Sequence, residues 1–130
     1  MSISQRLFVI KILLAITAIY SFAIAFIAHL FFTKTYMVDI MGFITYQDSL
    51  VKLICIIGLL LALLAYYALR DPLRNRDMIK MLIITGVSIG AVSLYLINFG
   101  DFPATMYVNA ISMLFLSGFL FFLYPWNETA

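Results

Sequence analysis

Four long apolar stretches, separated by short polar segments, make up almost the whole chain. The predicted membrane spans cover residues 7–32, 50–69, 79–98 and 104–123, with approximate limits. A bilayer core of about 30 Å needs about 20 apolar residues per helix, so each stretch can cross it once. The pattern predicts an all-α, polytopic integral membrane protein. Its single domain, residues 1–130, would be an antiparallel bundle of four transmembrane helices.

Composition supports a membrane protein over a soluble one. The chain is 65% hydrophobic and 11% charged, with a mean hydropathy of +1.11. Soluble domains usually carry about 25% charged residues, so a water-soluble globular fold is excluded. There is no basic tract suited to nucleic acid, and membrane lipids are the expected partner.

The densest run of charge, which we call the elbow, extends from Arg70 to Lys80. It separates the second and third spans and must lie at a water-facing surface. Asp71 and Pro72 predict the N-cap and first residue of the third helix. The basic side chains predicted to contact lipid headgroups or a protein partner are Arg70, Arg74, Arg76 and Lys80.

Basic residues are distributed unevenly between the two sides of the predicted bundle. Arg6, Lys11 and the elbow lie on one side, against Lys34 and Lys52 on the other. The positive-inside rule then predicts that both termini of this multi-pass protein are cytoplasmic. A cleaved signal peptide is the alternative for the first span, but its apolar run continues well past the candidate cleavage site to Phe32.

The first outer loop contains an apolar stripe of its own. Met37, Ile40, Met41 and Ile44 fall at positions i, i+3, i+4 and i+7, which predicts a short amphipathic helix. Such a helix anchors in the headgroup layer or covers a ligand cavity. The following segment, Thr45–Asp48, fits a capping pattern at the start of the second span.

Small residues mark the faces on which helices are expected to pack closely. They are Ala18, Ser21 and Ala25 in span 1, Gly58 in span 2, and the GxxxG pair Gly86 and Gly90 in span 3. Ser93 extends the span 3 face. The sequence favours a partner for this face in the first or second span over a second copy of the chain, and leaves both open.

Candidate chemistry is sparse. The chain contains one histidine, His29, and one cysteine, Cys55. A bis-histidine haem, a histidine metal cluster or an internal disulfide is excluded within one subunit, and no cofactor is expected. His29 is interpreted as an interfacial imidazole, with a proton relay as the alternative. Asn109, near the outer end of span 4, is expected to hydrogen-bond to another helix.

A resemblance to a family of membrane proteins rests on three short motifs. Arg70-Asp71-Pro72 follows span 2 with its Gly58, and Tyr107-Val108-Asn109-Ala110 and Tyr124-Pro125 lie in and after span 4. This layout resembles the BphX-like and DoxX-like small four-helix membrane proteins over spans 2 to 4. The resemblance implies a four-helix bundle in a prokaryotic membrane, which for this chain means a multi-pass protein of the inner membrane. It transfers no catalytic residue to this chain.

Three functions are open at the level of sequence. The favoured one is a non-enzymatic accessory or binding subunit whose partner is a lipid or another membrane protein, including a second copy. The second is a small transporter for a neutral or hydrophobic substrate. It resembles the small multidrug resistance group in size, but span 1 lacks that group's coupling glutamate. The third is a membrane subunit of a quinone-linked redox complex.

Overall fold

The computed structural model describes residues 1–28, 34–43 and 48–128, and all regular secondary structure in these residues is helical. The elements are α1 (Ile3–Tyr20), its π-helical continuation (Ser21–Ala28), a short π-helical segment (Thr35–Ile40), α2 (Asp48–Arg70), α3 (Arg76–Phe99) and α4 (Met106–Leu123). His29, Ile44 and Thr45 lie outside the described residues, as do the predictions made for them.

Four of the described helices are long and apolar enough to cross a membrane, as the sequence predicts. They cover Ile3–Ile27, Val51–Arg70, Arg76–Phe99 and Met106–Leu123. They indicate a multi-pass membrane protein. The first helix begins earlier than the predicted span because the Ser2 hydroxyl accepts from the Gln5 N–H while the Gln5 side chain accepts from the Ser2 N–H.

Large apolar side chains cover the outside of these helices. Phe122 is 78% exposed, Val108 73% and Ile19 70%. Apolar surface on this scale is incompatible with a water-soluble monomer. In a bilayer, lipid chains would cover these side chains, so they would not be exposed to water.

The main buried core lies at one end of the bundle, next to the elbow, which we call the elbow end. All four long helices contribute to it: Ile10, Leu14, Ala65, Ala68, Ile79, Leu82, Leu120 and Tyr124. The beginnings of α1 and α3 therefore meet the ends of α2 and α4 in one cluster. This packing closes the elbow end of the bundle.

The elbow differs from its sequence prediction. Asp71 and Pro72 do not start the third helix, which begins at Arg76. The Asp71 Oδ1 instead accepts from the Arg74 N–H at 3.3 Å, and the Asn75 side-chain amide donates to the carbonyls of Tyr67 and Asp71, both at 3.0 Å. The Asn75 backbone N–H also donates to the Asp71 carbonyl at 3.0 Å, so Asn75 ties the last turn of α2 to the turn before α3.

Glycines set the closest contacts between helices. A Cβ built on Gly58 would lie 2.5 Å from the Ala25 Cβ and 2.6 Å from the Ala25 carbonyl oxygen. On α3, Gly86 contacts Ser117, and a Cβ on Gly90 would lie 2.7 Å from the Leu114 Cγ. The GxxxG face therefore packs on α4 of the same chain. The expected partner within the chain was span 1 or span 2, and this expectation was wrong because small-residue spacing does not encode which helix is the partner.

The segment Thr35–Phe43, which we call the strap, lies at the opposite end of the bundle, the strap end. The Phe43 ring meets the Phe102 ring edge-on with centroids 5.2 Å apart, and the Thr105 hydroxyl donates to the Met41 carbonyl. A short helix is present in the predicted loop, but it is π-helical, and Ile44 of the predicted stripe lies outside the described residues. Met37 and Met41 of the stripe line the cavity described below, whereas Ile40 is 63% exposed.

Candidate functional site: an interhelical cavity

A cavity of about 850 Å³ lies between the four long helices, towards the strap end. The π-helical continuation of α1 lines one wall through Ile24 and Ala25, and the strap lines the cavity through Met37, Met41 and Phe43. Most of the other lining side chains are aliphatic. Pockets of about 300 to 1,000 Å³ with such linings bind small organic molecules in many proteins.

The cavity has a few polar groups. The Tyr20 hydroxyl of α1 donates to the Asn109 Oδ1 of α4 at 2.6 Å, and both residues line the cavity. This is the inter-helix hydrogen bond that the sequence led us to expect for Asn109. Ser21 and Ser93 also line the cavity, and they are 6% and 4% exposed. We refer to Tyr20, Ser21, Ser93 and Asn109 as the polar band.

Hydrogen-bonding capacity is left over in this band. Within the described part of the chain, the hydroxyls of Ser21 and Ser93 form no hydrogen bond, and Asn109 forms only the bond from Tyr20. Because these two residues line the cavity, a polar atom of a molecule inside it could hydrogen-bond to their hydroxyls.

The cavity opens sideways between α2 and α3. Ile54 and Ile57 on α2, and Ser88 and Val92 on α3, line the cavity while staying exposed on the outside of the bundle. Towards the elbow, the same two helices are joined by the buried core cluster. The most exposed residues of the lining thus lie on these two helices, and from this we infer that the cavity opens between them towards lipid chains.

Methionines supply an adaptable part of the wall. Met37 and Met41 come from the strap, and Met106 and Met113 from α4. Because the methionine side chain is unbranched and polarizable, it can follow ligands of different shape.

No formal charge lines the cavity among the described residues. Its lining contains neither acidic nor basic side chains, and the described residues contain no group of three or more His, Cys, Asp or Glu arranged to hold a metal. Cys55 is buried, and its thiol donates to the Val51 carbonyl at 3.4 Å. The lining suits an uncharged molecule with a large apolar part.

The four basic elbow residues fall into two groups. Arg70, Arg74 and Lys80 are exposed, and the Lys80 Nζ lies 3.9 Å from the Asp77 Oδ1. Arg76 is partly buried: it donates to the Glu128 carbonyl, and its guanidinium lies 5.9 Å from the centroid of the Tyr124 ring. Arg76 therefore holds the C-terminal segment, and the other three are available to phosphate or to a partner.

The remaining predicted site residues have structural positions. Ala18 packs against the elbow-end core, Ser21 and Ala25 line the cavity, and His29 lies outside the described residues. Sequence reasoning missed Tyr20 and assigned Ser93 to helix packing alone. Tyr20 could have been found from sequence, because it is a polar aromatic residue inside the otherwise apolar first span and a buried tyrosine hydroxyl usually has a hydrogen-bond partner.

No protein-family model, curated protein or solved structure matches this chain at a significant level. The resemblance to BphX-like and DoxX-like proteins stays a prediction.

Proposed function

We propose that this chain is a non-enzymatic membrane protein that binds a lipophilic molecule between its helices. The observation that carries the proposal is the apolar cavity of about 850 Å³ with a side opening between α2 and α3. A filled four-helix bundle would have aliphatic side chains in this volume, because protein interiors are close-packed. A ligand with hydrocarbon character would occupy it without burying a charge.

The proposed orientation is an antiparallel bundle with both termini and the elbow in the cytoplasm of a prokaryote. The excess of basic residues at the elbow end supports this orientation. Arg70, Arg74 and Lys80 would then contact the phosphates of the cytoplasmic leaflet. The cavity would open into the outer leaflet.

Transport of a neutral lipophile is the second candidate, and the side opening favours it as much as it favours binding. The elbow end is packed by a buried cluster that includes Ile10, Leu14, Ala65, Ile79 and Tyr124, and none of these residues is in the described lining of the cavity. Transport would need this cluster to open. Binding needs no such opening. We therefore place binding first.

The test is retention of lipophilic molecules after purification in a mild detergent. Organic extracts of the washed protein are quantified by mass spectrometry against bulk membrane lipid. We expect about one molecule of an enriched species per chain. The variant Val92→Trp fills the side opening and should lower this amount at least tenfold.

Ile84→Trp is the matched control. Ile84 lies on the same helix, is 66% exposed and does not line the cavity. Retention by Ile84→Trp should equal that of the unmodified protein. Equal retention by Val92→Trp, or no enriched species in any sample, would contradict the proposed function.

A further inference from the structure

Two buried serines without partners indicate where the polar part of a ligand would lie. Ser21 and Ser93 are more than nine-tenths buried, line the same cavity, and form no side-chain hydrogen bond within the described residues. Serine hydroxyls in membrane helices often bond back to a carbonyl of the preceding turn. Thr17 does so here, to the Leu13 carbonyl at 2.8 Å, and the two cavity serines do not.

The four residues of the polar band lie at one depth in the bundle. Tyr20 and Asn109 are fixed to each other by their hydrogen bond, and Ser21 follows Tyr20 directly. On α3, a Cβ built on Gly90 would lie 3.1 Å from the Ala110 carbonyl oxygen, and Ser93 is three residues beyond Gly90. Since Ala110 is next to Asn109, Ser93 lies close to the level of Asn109.

From this arrangement, which rests on the proposed function, we propose the class of ligand: an uncharged lipophile with one hydroxyl or carbonyl head, seated with that head at the polar band. The Ser21 and Ser93 hydroxyls and the Asn109 amide would donate to the oxygen of the head. The hydrocarbon part would extend along Ile54, Ile57 and Val92 at the side opening.

Charged amphiphiles fit the same cavity poorly. The described lining carries no cation that would pair with a carboxylate or phosphate, and no anion that would pair with an amine. Burying an unpaired ion in apolar surroundings is far more costly than burying a hydroxyl, which hydrogen bonds can compensate. The ligand therefore enters as a neutral molecule, sideways from the lipid through the gap between α2 and α3.

The experiment uses two photoreactive probes with the same chain: a long-chain fatty alcohol and the corresponding fatty acid, each with a diazirine near the chain end. Both are added to the full-length protein in nanodiscs at pH 8, so that the acid is largely ionised. Cross-linked residues are mapped by mass spectrometry. We expect the alcohol to label Ile54, Ile57 and Val92 at least fivefold more than the acid.

Ser21→Ala combined with Ser93→Ala should lower alcohol labelling at these positions at least fivefold. Ser112→Ala is the control, because Ser112 lies on α4 outside the cavity lining. Thermal unfolding of each variant verifies that the bundle stays folded. The single variant Ser93→Thr, with Ser21 unchanged, should retain labelling by the alcohol because threonine keeps a hydroxyl.

Two results would overturn the inference, and they differ in whether the proposed function is refuted as well. Equal labelling by both probes, unaffected by the serine variants but abolished by Val92→Trp, leaves the cavity as a binding site and refutes the choice of head group. No labelling of cavity residues by either probe refutes the proposed function together with the inference.

Discussion

Tyr124 shows how one polar atom fixes the end of the bundle. Its side chain is 2% exposed, and its hydroxyl donates to the Pro72 carbonyl at 2.7 Å. The Trp126 ring lies 4.5 Å from the Tyr124 ring, centroid to centroid, and Arg76 lies over the same ring. The elbow and the C-terminal segment are thus joined through a single residue.

Tyr124→Phe should lower the free energy of unfolding by about 1 to 3 kcal/mol, because the buried Pro72 carbonyl loses its donor. Thermal unfolding in detergent, followed by the fluorescence of Trp126, measures the change. Tyr95→Phe is the control: Tyr95 is 63% exposed, and the same substitution there should change stability by less than about 0.5 kcal/mol. Equal effects at both positions would contradict the role assigned to Tyr124.

At the scale of elements, small residues decide which helices touch. Gly58 admits the π-helical continuation of α1 against α2, and Gly86 and Gly90 admit α4 against α3. Where α2 and α3 face each other towards the strap end, Ile54, Ile57, Ser88 and Val92 stay exposed, and the cavity opens there. Close approach in two helix pairs, with exposed lining residues on the facing parts of α2 and α3, defines the proposed site.

Gly58→Ala should destabilise the protein by at least about 1 to 3 kcal/mol, because the new methyl group meets the backbone of Ala25. Gly118→Ala is the matched control, since a Cβ there has no neighbour within 4 Å. In the control, the better helix propensity of alanine should leave stability unchanged or raise it by about 0.5 to 1 kcal/mol. Unfolding midpoints that rise for both variants would contradict the close contact.

At the scale of the whole molecule, the distribution of charge determines the proposed orientation. The exposed Arg70, Arg74 and Lys80 lie at the elbow end, and the exposed Lys34 comes just before the strap. The preference of basic residues for the cytoplasmic side sets the orientation of the protein, and it does not depend on what the cavity binds.

Single cysteines introduced into a Cys55→Ala background test this orientation. In intact cells, a membrane-impermeant maleimide should label Lys34→Cys and should label Arg74→Cys at least tenfold less. Permeabilised cells should label both equally, because both positions are exposed in the fold. Strong labelling of Arg74→Cys in intact cells would reverse the proposed orientation.

The number and approximate limits of the spans were predictable from sequence, because the length of an apolar run is a local property that the bilayer thickness constrains. The limits shifted where local hydrogen bonds acted: the capping pair Ser2 and Gln5 extends the first helix, and the turn held by Asp71 and Asn75 delays the start of α3 to Arg76. Asn109 was singled out from sequence as a residue that bonds to another helix, but its partner was not.

The sequence by itself determined that this chain forms helices suited to a membrane and where its charges fall. The tertiary structure alone decided that α3 packs on α4, that Tyr20 meets Asn109, and that the four long helices leave a cavity between them. The physical reason is that apolar periodicity measures the preference of a residue for lipid or protein interior over water. It carries no information on which of two equally apolar faces will touch, and that choice depends on the fit of small side chains across helices.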